Sequence, residues 1–319
     1  MSKLCSCIVP CFNEEEVIPL YYEEMQKVRK QEEGKIDFEI IFIDDGSKDK
    51  TLEVIKKLSE QDECIHYVSF SRNFGKEAAM YAGFEHANGE YVVTMDVDLQ
   101  DPPHLIPEMI RCIEEEGYDS VATRRVTRKG EPPIRSFFAR RFYGLINKIS
   151  DADIVDGARD FRMMKRDMVN AILSMPEYNR FTKGIFGWVG FKTKWIEFEN
   201  VERAAGNTKW SFSGLLRYAV NGFMSFATAP LRGAIYLGFI VMIVALVYGI
   251  YIVLNMLISG GVKSGYSSIM FAILFIGSII ILLLGIIGEY LARIYMEVKN
   301  RPIYIAKDER LDENTELKD

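Results

Sequence analysis

The sequence predicts an α/β domain with a mostly parallel sheet, followed by a hairpin of two membrane-spanning helices. Three observations support this prediction. Short apolar segments alternate with amphipathic helical segments through the first hundred residues, as in doubly wound α/β folds. The turns after these apolar segments are rich in Asp, Asn and Gly. Two long uncharged segments, 233–257 and 269–288, lie near the C-terminus, and each is long enough to span a bilayer.

The individual elements follow from hydrophobic periodicity. Strands are predicted where short apolar runs end at polar turns: Leu4–Val9, Phe38–Ile43, Ile65–Phe70, Tyr91–Met95 and, later, Ile196–Val201. Helices are predicted where apolar residues recur at helical spacing: Val17–Lys30, Lys50–Gln61, Glu77–His86 and Met163–Leu173. The first strand begins close to Met1, so the sequence does not predict a signal peptide.

The segment after the Tyr91–Met95 strand carries the strongest candidate chemistry. It contains Asp96, Asp98 and Gln100, and in an extended segment these side chains would point to one side. Open α/β sheets bind their ligands at the carboxyl ends of the strands. Oxygen ligands of this kind suit a hard divalent cation that also holds substrate phosphates, whereas the alternative is a solvated Asp-rich turn.

Other carboxylates are predicted to gather at the same edge of the sheet, and this favours a metal–nucleotide site. They are Glu14, Asp44 and Asp45, which also follow strands. Bringing several carboxylates together costs electrostatic free energy, unless cations or hydrogen-bond donors offset their repulsion. The sequence has neither a glycine-rich dinucleotide motif after the first strand nor a P-loop.

The amino-acid composition argues against nucleic-acid binding, a zinc site and a histidine-based catalytic triad. The net charge of −6 gives no reason to expect nucleic-acid binding. Three of the five cysteines lie in or beside the first strand without a nearby histidine, so reduced cytosolic thiols are favoured over zinc ligands. With three histidines in the chain, a histidine-based catalytic triad has few candidates.

A basic stretch at 124–148 is predicted to contact the membrane surface. It includes Arg128, Arg135, Arg140 and Arg141, and an amphipathic helix at about 134–149 carries an aromatic apolar face. This combination suits a surface rich in anionic lipid, and the alternative is an ordinary helix that covers the sheet. A second interfacial helix is predicted at 211–230.

The charges that flank the uncharged segments predict the orientation of the hairpin. Basic residues lie near its outer ends, and Lys263 is the only one in the connecting loop. By the positive-inside rule, the α/β domain and the tail are cytoplasmic. The predicted organisation is an α/β domain over 1–210, an interfacial helix over 211–230, a hairpin over 231–294 with spans at about 233–257 and 269–290, and a cytoplasmic tail over 295–319.

Several motifs, taken in order, resemble those of the family 2 glycosyltransferases of GT-A fold. Pro10-x-Phe12-Asn13-Glu14, Asp44-Asp45-Gly46-Ser47 and Asp96-Val97-Asp98-x-Gln100 carry this resemblance. Asp160-Phe161-Arg162 and Arg203-x-x-Gly206-x-Thr208-Lys209 are similar to the branch that makes polyprenyl-phosphate hexoses. That branch includes enzymes of the dolichyl-phosphate mannose synthase type. The domain followed by a hairpin resembles the bacterial polyprenyl-phosphate glycosyltransferases of the bactoprenol glucosyltransferase type. Two departures are Phe12, where tyrosine is usual, and Asp156, which lies one position further from Asp160 than the upstream aspartate of the usual Asp-Val-Gly-Asp-Phe-Arg pattern.

The resemblance implies a role for each matching position. Nucleotide-sugar binding is implied for Pro10, Phe12, Glu14, Ile43, Asp45, Asp96, Val97, Asp98, Arg124, Arg203 and Lys209. Asp98 and Gln100, with Asp96, would hold Mg²⁺ or Mn²⁺, and Asp160 would be the catalytic base. Arg128, Arg135, Arg140 and Arg141 would serve the lipid phosphate and the membrane surface.

The resemblance further implies an inverting transfer of a hexose from a nucleotide sugar to polyprenyl (undecaprenyl) phosphate, for cell-envelope glycosylation in a bacterium. UDP-glucose and UDP-N-acetylglucosamine are the favoured donors, and GDP-mannose stays open. Family members form tetramers, and two spans are too few for a flippase, so a separate flippase is expected. Two alternatives stay open: transfer to another acceptor, and a membrane-anchored nucleotide-sugar sensor or assembly factor without turnover.

Overall fold

The computed structural model describes residues 2–125, 157–199, 229–259 and 265–311. These residues form two units, one that contains the sheet and one that contains the long apolar helices, with the second unit spanning 226–300. The predicted basic stretch beyond residue 125, the second interfacial helix and the loop that contains Arg203 and Lys209 lie outside the described residues.

The first half of the chain alternates strands and helices as the periodicity predicts. The elements are β1 (Lys3–Cys11), α1 (Ile18–Gln31), β2 (Ile36–Asp44), α2 (Thr51–Gln61), β3 (Ile65–Phe70), α3 (Lys76–His86), β4 (Tyr91–Thr94) and α4 (Ile106–Glu114). Strands β1 to β4 are almost wholly buried, which explains why apolar residues predominate in their sequences.

The second half of the α/β unit completes the sheet. Its elements are β5 (Ser120–Arg125), β6 (Ala158–Lys165), α5 (Arg166–Leu173), α6 (Thr182–Trp188), β7 (Thr193–Phe198) and, after the apolar helices, β8 (Ala306–Arg310). The sheet order is β7-β5-β6-β4-β1-β2-β3-β8. Strands β1–β2, β1–β4, β2–β3 and β5–β7 pair in parallel, whereas β6 runs antiparallel to β4 and β5, and β8 to β3. The predicted α/β class with a mostly parallel sheet is confirmed.

The helix predicted at Met163–Leu173 is wrong at its beginning. Residues up to Lys165 belong to β6, and the helix starts at Arg166. Strand β6 lies between two other strands, so Met163 and Met164 are both fully buried although they point to opposite faces. Consecutive apolar residues of this kind do not distinguish a buried strand from a helix. The strand predicted at Ile196–Val201 is also shifted, because β7 begins at Thr193.

Helix α3 lies unusually close to β1. A Cβ atom placed on Gly83 would approach the Ile8 Cγ2 atom to 2.1 Å, well inside van der Waals contact. Both residues belong to the core of the α/β unit, where Ile8 is fully buried. The glycine therefore permits α3 to pack directly on the centre of the sheet, and this fixes the position of Lys76 at the first turn of the helix.

Replacing Gly83 with alanine is expected to destabilise the α/β unit by about 1–3 kcal/mol, because the added methyl group overpacks the contact with Ile8. The measurement is the melting temperature of the full-length protein in detergent. Ile8→Ala removes the clashing atom, so the double variant should lose less than the sum of the two single variants. If the stability losses of the two single variants were additive in the double variant, the close contact between Gly83 and Ile8 would be contradicted.

The second unit consists of α7 (Ala229–Ser259) and α8 (Tyr266–Val298). Each contains a segment long and apolar enough to cross a membrane, Gly233–Tyr251 in α7 and Phe275–Val298 in α8. Neither segment is buried within the protein, and large apolar side chains along both helices are exposed. Such a surface is unfavourable in water and suits lipid.

Candidate active site

Two of the predicted site carboxylates share one lysine. Asp96 follows β4, Asp160 lies on the neighbouring strand β6, and Lys76 is the first residue of α3. The Lys76 Nζ atom lies 2.6 Å from Asp96 Oδ1 and 2.6 Å from Asp160 Oδ2. Lys183 of α6 approaches Asp160 Oδ1 from another direction, at 3.7 Å. Three elements distant in sequence thus meet at the end of β4.

An arginine joins this group to a third carboxylate. Arg159 Nε donates a hydrogen bond of 2.9 Å to Asp101 Oδ1, and Arg159 Nη2 lies 3.7 Å from Asp96 Oδ2. Asp101 is fully buried and accepts the backbone N–H of Asp96 at 3.1 Å. The resulting strand-end cluster contains three carboxylates and three cations: Asp96, Asp101, Asp160, Lys76, Arg159 and Lys183.

Asp160 is held as a carboxylate. Burial alone would raise its pKa, but the positive charges of Lys183 and Lys76 outweigh burial and lower the pKa well below its usual range. Burial likewise acts against the charged form of Lys76, and Asp160 and Asp96 overcome it and raise the lysine pKa. The pair is therefore ionised at neutral pH, and Asp160 has little affinity for a proton.

The turn after β4 is not extended, which corrects the geometry expected for Asp96, Asp98 and Gln100. The strand ends at Thr94, and Leu99 adopts a left-handed backbone with φ of 59°. Asp98 stabilises this turn, because its Oδ1 atom accepts the N–H of Gln100 at 3.1 Å. A left-handed leucine is uncommon, and such residues concentrate at functional sites.

The donor set near this turn fits a divalent cation in part. Asp98 and Gln100 offer the oxygen atoms that Mg²⁺ and Mn²⁺ prefer. The Asp96 carboxylate is engaged by Lys76 and Arg159. Among the described residues, no group of three or more His, Cys, Asp or Glu side chains is placed to hold a metal ion. A cation here would therefore rely on Asp98, Gln100 and ligand phosphates.

The carboxylates at the end of β2 and just after it organise the neighbouring loops. Asp45 Oδ1 accepts the N–H groups of Phe74 and Gly75, at 2.6 and 3.1 Å, and so ties the loop before α3 to the end of β2. Burial raises the pKa of Asp45 to about 6, although these N–H groups act in the opposite direction. Asp44 accepts a hydrogen bond of 2.7 Å from the Ser69 hydroxyl.

The remaining residues predicted for nucleotide binding differ in their position in the fold and in their exposure to solvent. Pro10, Phe12 and Glu14 are partly exposed at and just after the end of β1. Ile43 and Val97 are buried, at 0% and 3% exposure, so their side chains belong to the core. Arg124 is about half exposed and forms an ion pair with Glu197 on the adjacent strand β7. Arg203, Lys209, Arg128, Arg135, Arg140 and Arg141 lie outside the described residues.

Sequence reasoning missed Lys76, Lys183, Arg159 and Asp101 as members of the cluster. A signal was available for Lys76, since it ends the polar loop after β3, at the edge where the acidic residues were predicted to meet. Arg159 directly precedes the Asp160-Phe161-Arg162 motif, and this position was a signal that could have been used. Lys183 follows no recognisable motif in the sequence, and only the packing of α6 brings it to Asp160.

Comparison with known proteins identifies the families that the chain resembles. Residues 6–173 match the family model described as glycosyl transferase family 2, and residues 229–294 match the GtrB C-terminal hairpin. The first match contains every described member of the strand-end cluster except Lys183. The second covers most of α7 and α8.

Similar proteins match over nearly their full length. A Bacillus subtilis (strain 168) protein that carries the name glycosyltransferase CsbB is 45% identical, with 99% of this chain and 96% of that protein covered. The prophage bactoprenol glucosyl transferase homolog of Escherichia coli (strain K12) is 45% identical over 95% of this chain and 98% of that protein. The bactoprenol glucosyl transferase of Shigella phage SfII is 42% identical, over 95% and 97%. The α/β unit has the GT-A fold, and the chain, a glycosyltransferase with a C-terminal hairpin, belongs to glycosyl transferase family 2.

Proposed function

We propose that the protein transfers a hexose from a nucleotide sugar to polyprenyl phosphate at the cytoplasmic face of the cell membrane. The observation that carries this proposal is the strand-end cluster of three carboxylates and three cations, in a chain with two helices apolar enough to cross a membrane. The names of the relatives support the acceptor, because two of them are bactoprenol glucosyl transferases or homologs of one.

The reaction forms one bond and breaks one bond. A phosphate oxygen of the acceptor attacks C1 of the sugar, while the bond from C1 to the donor diphosphate breaks and its electron pair leaves with the diphosphate. Attack from the side opposite the leaving group inverts the configuration at C1. A phosphate monoester has its second pKa near ~6, so the attacking group is largely dianionic at pH 7 and carries no proton to remove.

Stabilising the leaving group is then the main task of the site. Asp98 and Gln100 would hold the divalent cation through oxygen atoms, together with donor phosphates. When bound, such a cation supplies positive charge where negative charge develops on the departing diphosphate. Arg203 and Lys209, which the sequence predicts for phosphate binding, would contribute further positive charge.

Asp160 acts in this proposal as a positioning residue. Two lysines lower its pKa, and a carboxylate of low pKa is a weak general base near neutral pH. Its ion pairs instead hold Lys76 and Lys183 at the end of β4. These ammonium groups would orient the acceptor phosphate beside the sugar, and fixed orientation of this kind lowers the barrier substantially.

The product tests this proposal directly. Purified full-length protein should convert undecaprenyl phosphate and radiolabelled UDP-glucose or UDP-N-acetylglucosamine into a solvent-extractable lipid that mild acid hydrolyses. A panel with GDP-mannose identifies the donor, and undecaprenol without phosphate is the matched control. Label that enters protein or glycan instead of lipid would establish the alternative acceptor. Donor binding without turnover would establish the sensor or assembly factor.

The cellular arrangement follows from the same proposal. The α/β unit and the chain after α8 are cytoplasmic, where nucleotide sugars are made, and both apolar helices span the membrane. A separate flippase would move the lipid-linked sugar across the bilayer. A homo-oligomer, a tetramer by resemblance, is also part of the proposal.

A further inference from the structure

The carboxylate of Glu77 connects two helices that begin beside the strand-end cluster. Glu77 is the second residue of α3, and its Oε2 atom accepts the backbone N–H of Thr182 at 2.8 Å. The same oxygen also accepts a hydrogen bond from the Thr182 hydroxyl. Thr182 is the first residue of α6 and is fully buried. The contact thus joins the first turns of α3 and α6, although the two residues are 105 positions apart in the chain.

This contact supplies a cap that α6 lacks locally. The first N–H groups of a helix have no partner within it, and a side-chain oxygen of the preceding residue often accepts one of them. The residue before α6 is Phe181, whose apolar side chain cannot accept a hydrogen bond. Glu77 takes this role from α3 with a carboxylate, and hydrogen bonds to an ionised acceptor are the stronger kind. The start of α6 is therefore fixed through α3.

The residues next to this contact on each helix are the two lysines of the cluster. Lys76 directly precedes Glu77 in α3. Lys183 directly follows Thr182 in α6. Lys76 Nζ lies 2.6 Å from Asp160 Oδ2, and Lys183 Nζ lies 3.7 Å from Asp160 Oδ1. The Asp160 carboxylate is therefore held between two cations whose helices are joined to each other by Glu77.

Lys183 depends on this contact more than Lys76 does. The Lys76 ammonium donates hydrogen bonds to Asp96 and Asp160, which fix it directly. The Lys183 ammonium donates to the Ala158 carbonyl oxygen at 3.2 Å, and its 3.7 Å distance from Asp160 is too long for a hydrogen bond. The placement of Lys183 beside Asp160 is therefore sensitive to where α6 begins.

We propose that Glu77 is a positioning residue for the acceptor phosphate and acts on it through Thr182 and Lys183. This assignment rests on the proposed function, in which the ammonium groups of the cluster orient polyprenyl phosphate beside the sugar. The consequence is selective: without Glu77 the acceptor is bound less well, while the nucleotide sugar, whose binding is predicted for other residues, is bound normally. A general loss of stability would instead lower the amount of active enzyme and leave both KM values unchanged.

Steady-state kinetics of the full-length protein in detergent test this proposal. In Glu77→Ala, we expect KM for undecaprenyl phosphate to rise about tenfold at an unchanged KM for the nucleotide sugar, the factor that loss of one charge-assisted hydrogen bond produces. Glu77→Gln keeps an oxygen acceptor and should restore most of the acceptor affinity. Glu53→Ala is the matched control, because Glu53 is an exposed glutamate in the first turn of α2, and both KM values should stay unchanged.

A double variant tests whether Glu77 acts through Lys183. Lys183→Met should raise KM for undecaprenyl phosphate by at least the same factor as Glu77→Ala. Combining the two substitutions should raise this KM little further, as expected for residues that act as a unit. Thr182→Val removes the hydroxyl and leaves α3 unaltered, so it should raise the same KM by a smaller factor. This variant decides the result if Glu77→Ala does not fold.

Three results would overturn the proposal: an unchanged KM for undecaprenyl phosphate in the deciding variant, an equal rise in KM for the nucleotide sugar, or increases that multiply in the double variant. Binding of undecaprenyl phosphate without donor, measured by microscale thermophoresis, gives the same comparison in the absence of turnover. A lack of sugar transfer by the unaltered protein therefore refutes the proposed function, whereas a dissociation constant unchanged by Glu77→Ala refutes the role of Glu77 alone.

Discussion

Asp98→Ala is expected to lower kcat/KM for sugar transfer by about 10²–10³-fold, the loss typical when one element of leaving-group stabilisation is removed. Asp98 offers a buried carboxylate at the turn after β4, and it also fixes that turn by accepting the Gln100 N–H. Its removal takes away an oxygen ligand and loosens the placement of Gln100. The measurement is the initial rate of lipid-linked sugar formation with Mg²⁺ or Mn²⁺ present.

Asp167→Ala is the matched control, because Asp167 is an exposed aspartate in the first turn of α5. It should retain full activity and an unchanged melting temperature. Mn²⁺ binding, followed by electron paramagnetic resonance, separates lost metal from lost structure: Asp98→Ala should bind Mn²⁺ much more weakly, while loss of the hydrogen bond to the Gln100 N–H lowers the melting temperature by only a few degrees. Normal transfer by Asp98→Ala would exclude the proposed role of this turn, and a cellular phenotype that survives the substitution would favour the non-catalytic alternative.

Asp160→Asn is expected to lower the rate of transfer by about 10²-fold at every pH between 6 and 9, the size of effect that misplaced catalytic groups produce. Asparagine removes the charge that pairs with Lys76 and Lys183 but keeps a similar shape. The unaltered enzyme should lose activity as the pH falls through about 6. There the acceptor dianion is protonated, and Asp45, with a pKa of about 6, changes from carboxylate to carboxylic acid.

The shape of the pH profile distinguishes positioning from proton transfer. The acid limb near pH 6 should remain in Asp160→Asn, because it does not arise from Asp160. If high pH restored the activity of Asp160→Asn, the residue would be a base and our assignment would be wrong. Lys76→Met should cause a similar loss, and the double variant should be little worse than either single variant, as expected for residues that act as a unit. If the fold-losses in rate of the two single variants instead multiplied in the double variant, Lys76 and Asp160 would not act as a unit.

Local sequence patterns were sufficient for the elements of the first hundred residues. Strands β1 to β4 each contain a run of mainly apolar residues and are followed by Asp-, Asn- or Gly-containing turns, so their type and order can be read directly. The uncharged segments that became α7 and α8 were equally clear. Strands β5, β6 and β8 were missed, the last two for different reasons. β6 is buried on both faces, whereas β8 is short, charged and recognisable only by its pairing with β3.

For the predicted site, the residue types could be read from the sequence, whereas the geometry could not. The motifs drew attention to Asp96 and Asp160, and the structure shows that Lys76 contacts both carboxylates. The assumption of an extended segment through Gln100 was wrong, because the backbone at Leu99 is left-handed and sequence patterns give no sign of it. The predicted roles of the site residues stay predictions, and those of Arg203 and Lys209 concern residues outside the described part of the chain.

By itself, the sequence determined the α/β class, the glycosyltransferase family and the apolar hairpin, because periodicity, turn chemistry and ordered motifs are local properties. Only the tertiary structure decided which charges meet. Lys76 and Asp160 are 84 positions apart, and their contact depends on the packing of α3 against the sheet at Gly83. Strong electrostatic coupling requires that charged groups approach within a few ångströms, and such distances between remote residues are set by the packing of whole elements. The altered pKa of Asp160, and with it the distinction between a base and a positioning residue, therefore belongs to the fold and not to the motif.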